Sequence, residues 1–153
     1  MVRAAIIACI LLLPTAQAAE HRLLLAGSTG WTSDPQSELS QSSSVAGVQY
    51  HLRLHRHWSL VTGFLTGQDE QGDLHEMPML LERRIGLQGD HSLYLQAGNQ
   101  LFYLNGERGL GLTAGGGWQW HGQQGWLMRL GFQQSSRAEQ SANRIQLALG
   151  WRF

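Results

Sequence analysis

The chain has 153 residues, a formal net charge of zero at neutral pH, and arginine at all eleven of its Lys or Arg positions. Because it has no basic stripe, we expect no nucleic-acid partner. Cys9 is the single cysteine, so no disulfide can form within the chain. Beyond the N-terminal segment, no run of 18 apolar residues occurs, which excludes a bundle of membrane-spanning helices.

Residues 1–18 are predicted to be a cleaved signal peptide, which leaves 19–153 as one mature domain. Arg3 supplies the positive charge, Ala4 to Leu13 form the apolar core, and Ala16-Gln17-Ala18 offers small residues for cleavage. An apolar core of roughly ten residues is too short to cross a bilayer, which requires about 20. Cys9 lies inside this core rather than at its end, which argues against lipidation.

After the signal, apolar and polar residues alternate with a period of two, which predicts β-strands with one apolar and one polar face. In chain order the alternating segments are 21–31, 44–55, 58–67, 75–87, 91–104, 109–121, 125–135 and 143–153. Segments of about ten residues have the length that a strand needs to cross a bilayer.

The links between these segments also alternate in length. Short turns are predicted at 56–57, 88–90 and 122–124, and longer loops at 32–43, 68–74 and 136–142, with 105–108 as a short exception. In membrane barrels the short turns face the periplasm and the longer loops face outward. We therefore expect both termini in the periplasm.

The last segment ends the chain on an aromatic residue, Phe153, after strict alternation from Ile145 onward. This ending resembles the signal by which the final strand of an outer-membrane barrel is recognised by the barrel-assembly machinery. Gln146, Trp151 and Phe153 are the residues that match it.

The polar faces separate two kinds of barrel. A soluble eight-stranded barrel would turn its apolar face inward, whereas a small membrane barrel can hold charges in its interior. Charged residues on the polar faces favour the membrane barrel, because a ligand cavity lined with them would be unfavourable. The predicted interior polar network consists of Arg53, Glu82, Arg84, Arg129, Arg144 and Arg152.

Taken together, these features resemble the small eight-stranded outer-membrane β-barrels of Gram-negative bacteria, of the OmpA and OmpX type. The resemblance covers the whole mature chain. It implies an all-β, eight-stranded antiparallel up-and-down transmembrane barrel in the outer membrane. It also implies a monomer without cofactor, in contact with outer-membrane lipid and lipopolysaccharide.

Charge balance in the predicted interior poses a problem. Arg22, Arg53, Arg84, Arg129 and Arg152 fall in the half nearer the termini, and Glu82 is the one acid placed with them. A buried charge without a partner is unfavourable. Three solutions stay open: a one-residue shift that turns Arg83 inward and Glu82 outward, water and a bound anion, or arginines that extend to the headgroups.

Two features bear on chemistry. A weaker similarity to the PagL-type lipid A deacylases rests on Ser135 at the nucleophile position, but Gln133 stands where that family has histidine. His75 would have to act as the base instead. The histidines His55, His57, His91 and His121 come from separate turns, and His55 and His57 form their one i, i+2 pair, so no metal is predicted.

Acidic residues mark the predicted outer loops, where they could meet the divalent cations that bridge lipopolysaccharide phosphates. They are Asp34, Glu38, Asp69, Glu70, Asp73, Glu76, Glu107 and Glu139. Three functions follow: a non-enzymatic barrel with an envelope-structural or surface-contact role, a lipid A-modifying enzyme using Ser135, and a porin-like channel for small solutes or anions. The sequence favours the first.

Overall fold

The computed structural model describes residues 20–33, 40–137 and 140–153, and it forms one closed antiparallel β-barrel. Each strand pairs with its sequence neighbours, and the last pairs with the first. The strands are β1 (His21–Ser33), β2 (Ser40–His55), β3 (Trp58–Asp69), β4 (Gly72–Gly86), β5 (His91–Leu104), β6 (Glu107–His121), β7 (Trp126–Arg137) and β8 (Gln140–Arg152). The predicted fold class is confirmed.

A search of these residues for a helix able to cross a membrane finds none. The predicted signal peptide lies outside the described residues and stays a prediction.

The two ends of the barrel differ, and we name them by the chain termini. The terminal end holds Glu20, Phe153 and three short connections: 56–57, 87–90 and 122–125, the last including a short 3-10 turn. The distal end holds the opposite strand ends. There the predicted long loops are wrong where the chain is described, because β3 and β4 are joined by Glu70 and Gln71 alone. Strands β3 and β4 extend beyond their predicted bounds and continue the barrel wall.

The outer wall is apolar, which is the opposite of a soluble barrel. Leu25 is 70% exposed, and large apolar side chains from all eight strands share this face. Aromatic residues gather near the terminal end, where Trp126 and Trp151 pack edge to face with ring centroids 4.9 Å apart. Water cannot favourably solvate so large an apolar belt, so the alternative of a soluble barrel is excluded by this arrangement.

The interior is less polar than the sequence suggests. Leu24, Val61, Leu74, Leu80 and Leu127 point inward and are buried among the polar side chains. An eight-stranded barrel has an interior just wide enough for side chains to fill, so aliphatic residues pack the levels between the charged groups. These positions were missed because a run such as Leu23-Leu24-Leu25 does not reveal which leucine faces inward.

Candidate functional site: the barrel interior and its mouths

Two ion pairs cross the interior at different heights. The proximal bridge, nearer the terminal end, joins Arg129 on β7 to Glu82 on β4, with Nη2 2.5 Å from Oε2. His51 on β2 lies against both, with Nε2 3.0 Å from Arg129 Nη1 and Nδ1 3.7 Å from Glu82 Oε2. All three side chains are almost wholly buried.

Tyr94 supports the proximal bridge from β5. The Arg129 guanidinium carbon lies 3.7 Å from the centre of the Tyr94 ring, an arrangement that adds a cation–π attraction. The ring reaches across β6 to β7, where a Cβ atom added to Gly131 would overlap the Tyr94 hydroxyl. Glycine at 131 therefore makes the space that this aromatic side chain occupies.

The distal bridge joins Arg144 on β8 to Glu76 on β4. Three strands separate β4 from β8 in either direction, so this pair spans the full width of the barrel. Arg144 Nη2 also lies 3.4 Å from the hydroxyl of Ser43 on β2. Glu76, which was predicted to be an outer-loop acid, is instead buried inside the barrel because β4 begins at Gly72.

A third group, the terminal cluster, lies at the entrance of the terminal end. Glu20 accepts hydrogen bonds from Arg22 Nη2 and from Arg53 Nη1, each at 2.5 Å, and Arg84 Nη1 lies 3.9 Å from it. Burial alone would raise the pKa of the Glu20 carboxyl, but Arg22, Arg84 and Arg53 together hold that pKa below its ordinary value.

Glu20 in the terminal cluster supplies a second carboxylate for the arginines in this half of the barrel. Glu20 was missed because it immediately precedes the first alternating segment and shows no period of its own. The expectation that Glu82 alone opposes the arginines is therefore wrong, and no shift of β4 is needed. Arg83 points outward and lies over the Trp58 ring, 5.7 Å from its centre. Arg152 is exposed at the terminal end.

Ser135 and His75 lie on opposite faces of the wall. Ser135 points inward and is buried, forming a hydrogen-bonded group with Thr113 and Gln100 at 2.9 to 3.1 Å. His75 points outward from β4, where its Nδ1 lies 2.9 Å from the Thr66 hydroxyl and its ring stacks on Phe64. Gln133 lies beside Ser135 and bonds Gln100 at 3.3 Å. The structure does not bring a base to Ser135.

No group of three or more potential metal ligands converges among the residues described here. His55, His57 and His91 are exposed near the terminal end, and His121 is half-buried there with Nε2 2.6 Å from Gln119 Nε2. At the distal end, Glu70, Asp73 and Glu107 are exposed and Asp69 is buried. Asp34, Glu38 and Glu139 lie outside the described residues.

Six buried polar atoms of the interior have no hydrogen-bond partner within the described chain. They are Thr32 Oγ1, Glu82 Oε1, Gln100 Nε2, Gln119 Oε1, Arg129 Nε and Arg144 Nε. Buried polar atoms of this kind usually bind ordered water. Three of the six, Glu82 Oε1, Arg129 Nε and Arg144 Nε, belong to the two bridges.

With this geometry described, the chain can be compared with known proteins. No family model matches it, and no curated protein matches its sequence. Solved structures do match. Neisserial surface protein A (NspA) superposes with a TM-score of 0.74 at 10% identity, covering 89% of this chain and all of the other. The N-terminal β-barrel domain of Pseudomonas aeruginosa OprF gives 0.72 at 12%, covering 88% and 98%.

Ail, the attachment invasion locus protein of Yersinia pestis, gives a TM-score of 0.64 at 14% identity, covering 90% of this chain and all of Ail. This chain has the fold of the small eight-stranded outer-membrane barrels. At such identities the likeness shows the fold alone. The similarity to the lipid A deacylases stays a prediction.

Proposed function

We propose that this protein is a non-enzymatic outer-membrane β-barrel with an envelope-structural or surface-contact role. The observation that carries the proposal is the pair of bridges inside the barrel. The distal bridge spans the whole width and the proximal bridge crosses below it, with buried aliphatic side chains packed between. An interior filled in this way opposes the passage of solutes along the barrel axis.

The apolar outer wall supports a place in a bilayer, since lipid is the solvent that such a surface prefers. The proposed orientation puts both termini in the periplasm. At the terminal end, the short turns lie next to the outward-facing tryptophans Trp58, Trp120, Trp126 and Trp151. At the distal end, outward-facing Gln134, Ser136 and Asn143 extend the wall with polar side chains. Strands that extend past the apolar belt with polar side chains fit the end of the barrel that projects from the membrane into water, which we propose is the cell surface.

The proposed insertion signal fits the same orientation. Phe153 is paired with His21 by backbone hydrogen bonds of 3.0 and 3.1 Å, and Trp151 faces outward. Gln146 points inward and is buried. The final strand therefore presents alternating inner and outer side chains to the barrel-assembly machinery before it closes on β1.

The distal end is the proposed contact surface, and its chemistry limits the partner. One solved complex of Ail contains the heparin analogue sucrose octasulfate. In the present chain, Glu70, Asp73 and Glu107 are exposed at the distal end, with Arg108 as the exposed described cation nearby. Negative charge there disfavours a sulfated polymer and favours cationic partners, including the divalent cations between lipopolysaccharide phosphates.

The test begins with folded protein in membranes, shown by an electrophoretic shift between unboiled and boiled samples. Conductance across planar bilayers is then measured, and lipid A from cells with and without the protein is compared by mass spectrometry. We expect no stable open level and unchanged lipid A. A stable conductance would establish the channel alternative.

A lipid A species lighter by one acyl chain would establish the enzyme alternative. Replacement of Ser135 by Ala would then abolish the product if Ser135 is the nucleophile. Gln134→Ala is the matched control. Gln134 is the sequence neighbour of Ser135, but its side chain faces outward and lies 3.4 Å from the Ser141 hydroxyl.

A further inference from the structure

The terminal end opens into a shallow cavity of about 360 Å³ that the proposed function does not use. We call it the terminal mouth. Its lining contains four arginines and three histidines against one carboxylate, that of Asp90. The distal end shows no comparable excess of positive charge among its described residues, so the molecule is electrostatically polarised from end to end.

Three arginines reach the terminal mouth from different strands. Arg53 comes from β2, Arg84 from β4 and Arg152 from β8. Arg53 is already engaged, since it donates to Glu20 and to the backbone carbonyl of Arg56 at 3.1 Å. Arg84 is not held in this way, because the carboxylate we find nearest to it in the described chain is Glu20 at 3.9 Å, beyond hydrogen-bond distance.

Arg84 is also poorly hydrated, with a side chain only 19% exposed. Its salt-bridge partner Glu20 is shared with Arg22 and Arg53, so the Arg84 guanidinium keeps positive charge that an anionic ligand could neutralise. Arg152, exposed at the rim of the same cavity, has no carboxylate partner among the described residues. The mouth thus has guanidinium donors that the protein does not itself satisfy.

The placement of these arginines favours a phosphate over a carboxylate as the ligand. A carboxylate presents two oxygens and is well matched by a single arginine fork, whereas a phosphate presents three or more oxygens around a tetrahedral centre. Arginines that line one cavity from different strands suit the phosphate better, because its oxygens point in several directions. A cavity of this volume is at the lower end of the range for small-molecule sites.

We propose that the terminal mouth binds a phosphate group, carried either by a soluble phosphorylated compound or by a phospholipid headgroup. Arg84 and Arg152 bind its oxygens, and Arg53, held by Glu20, adds positive charge beside them. The inference concerns a site on the barrel and does not depend on whether the interior conducts.

The chain contains a matched control for this proposal. Arg83 and Arg84 are sequence neighbours on β4, but Arg83 points outward over Trp58 and Arg84 points into the mouth. Arg83→Gln and Arg84→Gln therefore remove the same charge from opposite faces of the wall. Arg152→Gln, at a residue with no carboxylate partner among the described residues, provides a second variant in case Arg84→Gln prevents folding. The electrophoretic shift reports folding for each.

The first arm measures pyrophosphate binding by calorimetry to the folded barrel in a non-ionic, phosphate-free detergent. Saturable binding that weakens about tenfold in Arg84→Gln and in Arg152→Gln, with Arg83→Gln like wild type, would support a soluble phosphate ligand. The second arm uses nanodiscs with and without phosphatidylglycerol, and measures immobilised lipid by spin-label spectroscopy.

An immobilised lipid fraction lost in Arg84→Gln but kept in Arg83→Gln would support a headgroup as the source. The proposal is overturned if neither arm shows binding, or if Arg83→Gln and Arg84→Gln lose it equally, because general charge attraction would then explain the effect. A wild-type protein that shows no electrophoretic shift would contradict the proposed function. The phosphate site is judged only on proteins that show the shift.

Discussion

The two bridges inside the barrel solve the same problem in different ways. The proximal bridge is surrounded: Glu82 has Arg129 and His51, and Arg129 has the Tyr94 ring beneath it. In the distal bridge Arg144 crosses the whole barrel to Glu76, and its Nη2 also lies 3.4 Å from the Ser43 hydroxyl. We expect the loss of Arg129 to be tolerated better than the loss of Arg144, because His51 stays beside Glu82.

The largest expected effect is on the distal bridge. Arg144→Met leaves the Glu76 carboxylate buried without the cation that spans the barrel, and breaking a buried ion pair in this way costs up to about 5 kcal/mol. Unfolding in urea, followed by the fluorescence of the six tryptophans, measures the loss. The double variant Glu76→Leu with Arg144→Met removes both charges and should return close to wild-type stability. A double variant as unstable as the single one would contradict this account.

The same substitution on the proximal bridge should be milder. Arg129→Met leaves His51 3.7 Å from Glu82, so we expect a loss of about 3 kcal/mol, at the lower end of the range for broken buried pairs. Adding His51→Ala should then destabilise the Arg129→Met protein more than it destabilises the wild type, and a double-mutant cycle measures that coupling. Equal losses for Arg129→Met and Arg144→Met would show that the surroundings of the two bridges do not matter.

The aromatic support of the proximal bridge gives a smaller effect. Gly131→Ala places a methyl group where the Tyr94 hydroxyl lies and should cost about 1–3 kcal/mol through overpacking. Gly27→Ala is the control, because its added Cβ would lie 4.0 Å from the nearest heavy atom. Tyr94→Phe should recover part of the loss in the Gly131→Ala background by removing that hydroxyl. No recovery would mean that the strain arises in the backbone.

The smallest expected effect belongs to the terminal cluster and depends on pH. The pKa of Glu20 is lowered in the folded barrel, so its contribution is present above the pKa of the unfolded chain and is lost as the pH falls through the folded value. Because the cluster is partly solvated, Glu20→Gln should cost about 1 kcal/mol at pH 7. The difference between the two proteins should shrink as the pH falls from 7 to 3. A constant difference from pH 7 to pH 3 would contradict the assignment.

The sequence predicted which face each side chain occupies far better than it predicted the partners. Strict alternation placed Glu82, Arg129 and Arg144 inside, because a period of two follows from strand geometry alone. Pairing across the barrel depends on how eight strands close, and nothing local in β4 indicates that Glu76 meets a residue on β8. Glu20 and Tyr94 were also missed, because Glu20 lies before the first alternating segment and the amphipathic Tyr94 can occupy either face of a strand.

The loops were predicted less well for a related reason. Turn-forming residues at 68–74 suggested a long loop, but the strands continue through them and leave only Glu70 and Gln71 between. Polar residues on both faces of a strand weaken the alternation where the wall extends beyond its apolar belt. Strand ends there are set by pairing with the neighbouring strand, which a single segment does not show.

The seam between the first and last strands has a consequence for how the chain folds. His21 and Phe153 exchange backbone hydrogen bonds, so the wall cannot close until the last residue has been delivered. Joining them requires a loop of almost the entire described chain, a contact of very high sequence separation, and such topologies form slowly. Until then β1 and β8 are both open edges that could pair with another chain. Closing the barrel therefore ends its exposure to aggregation in the same step that completes its structure.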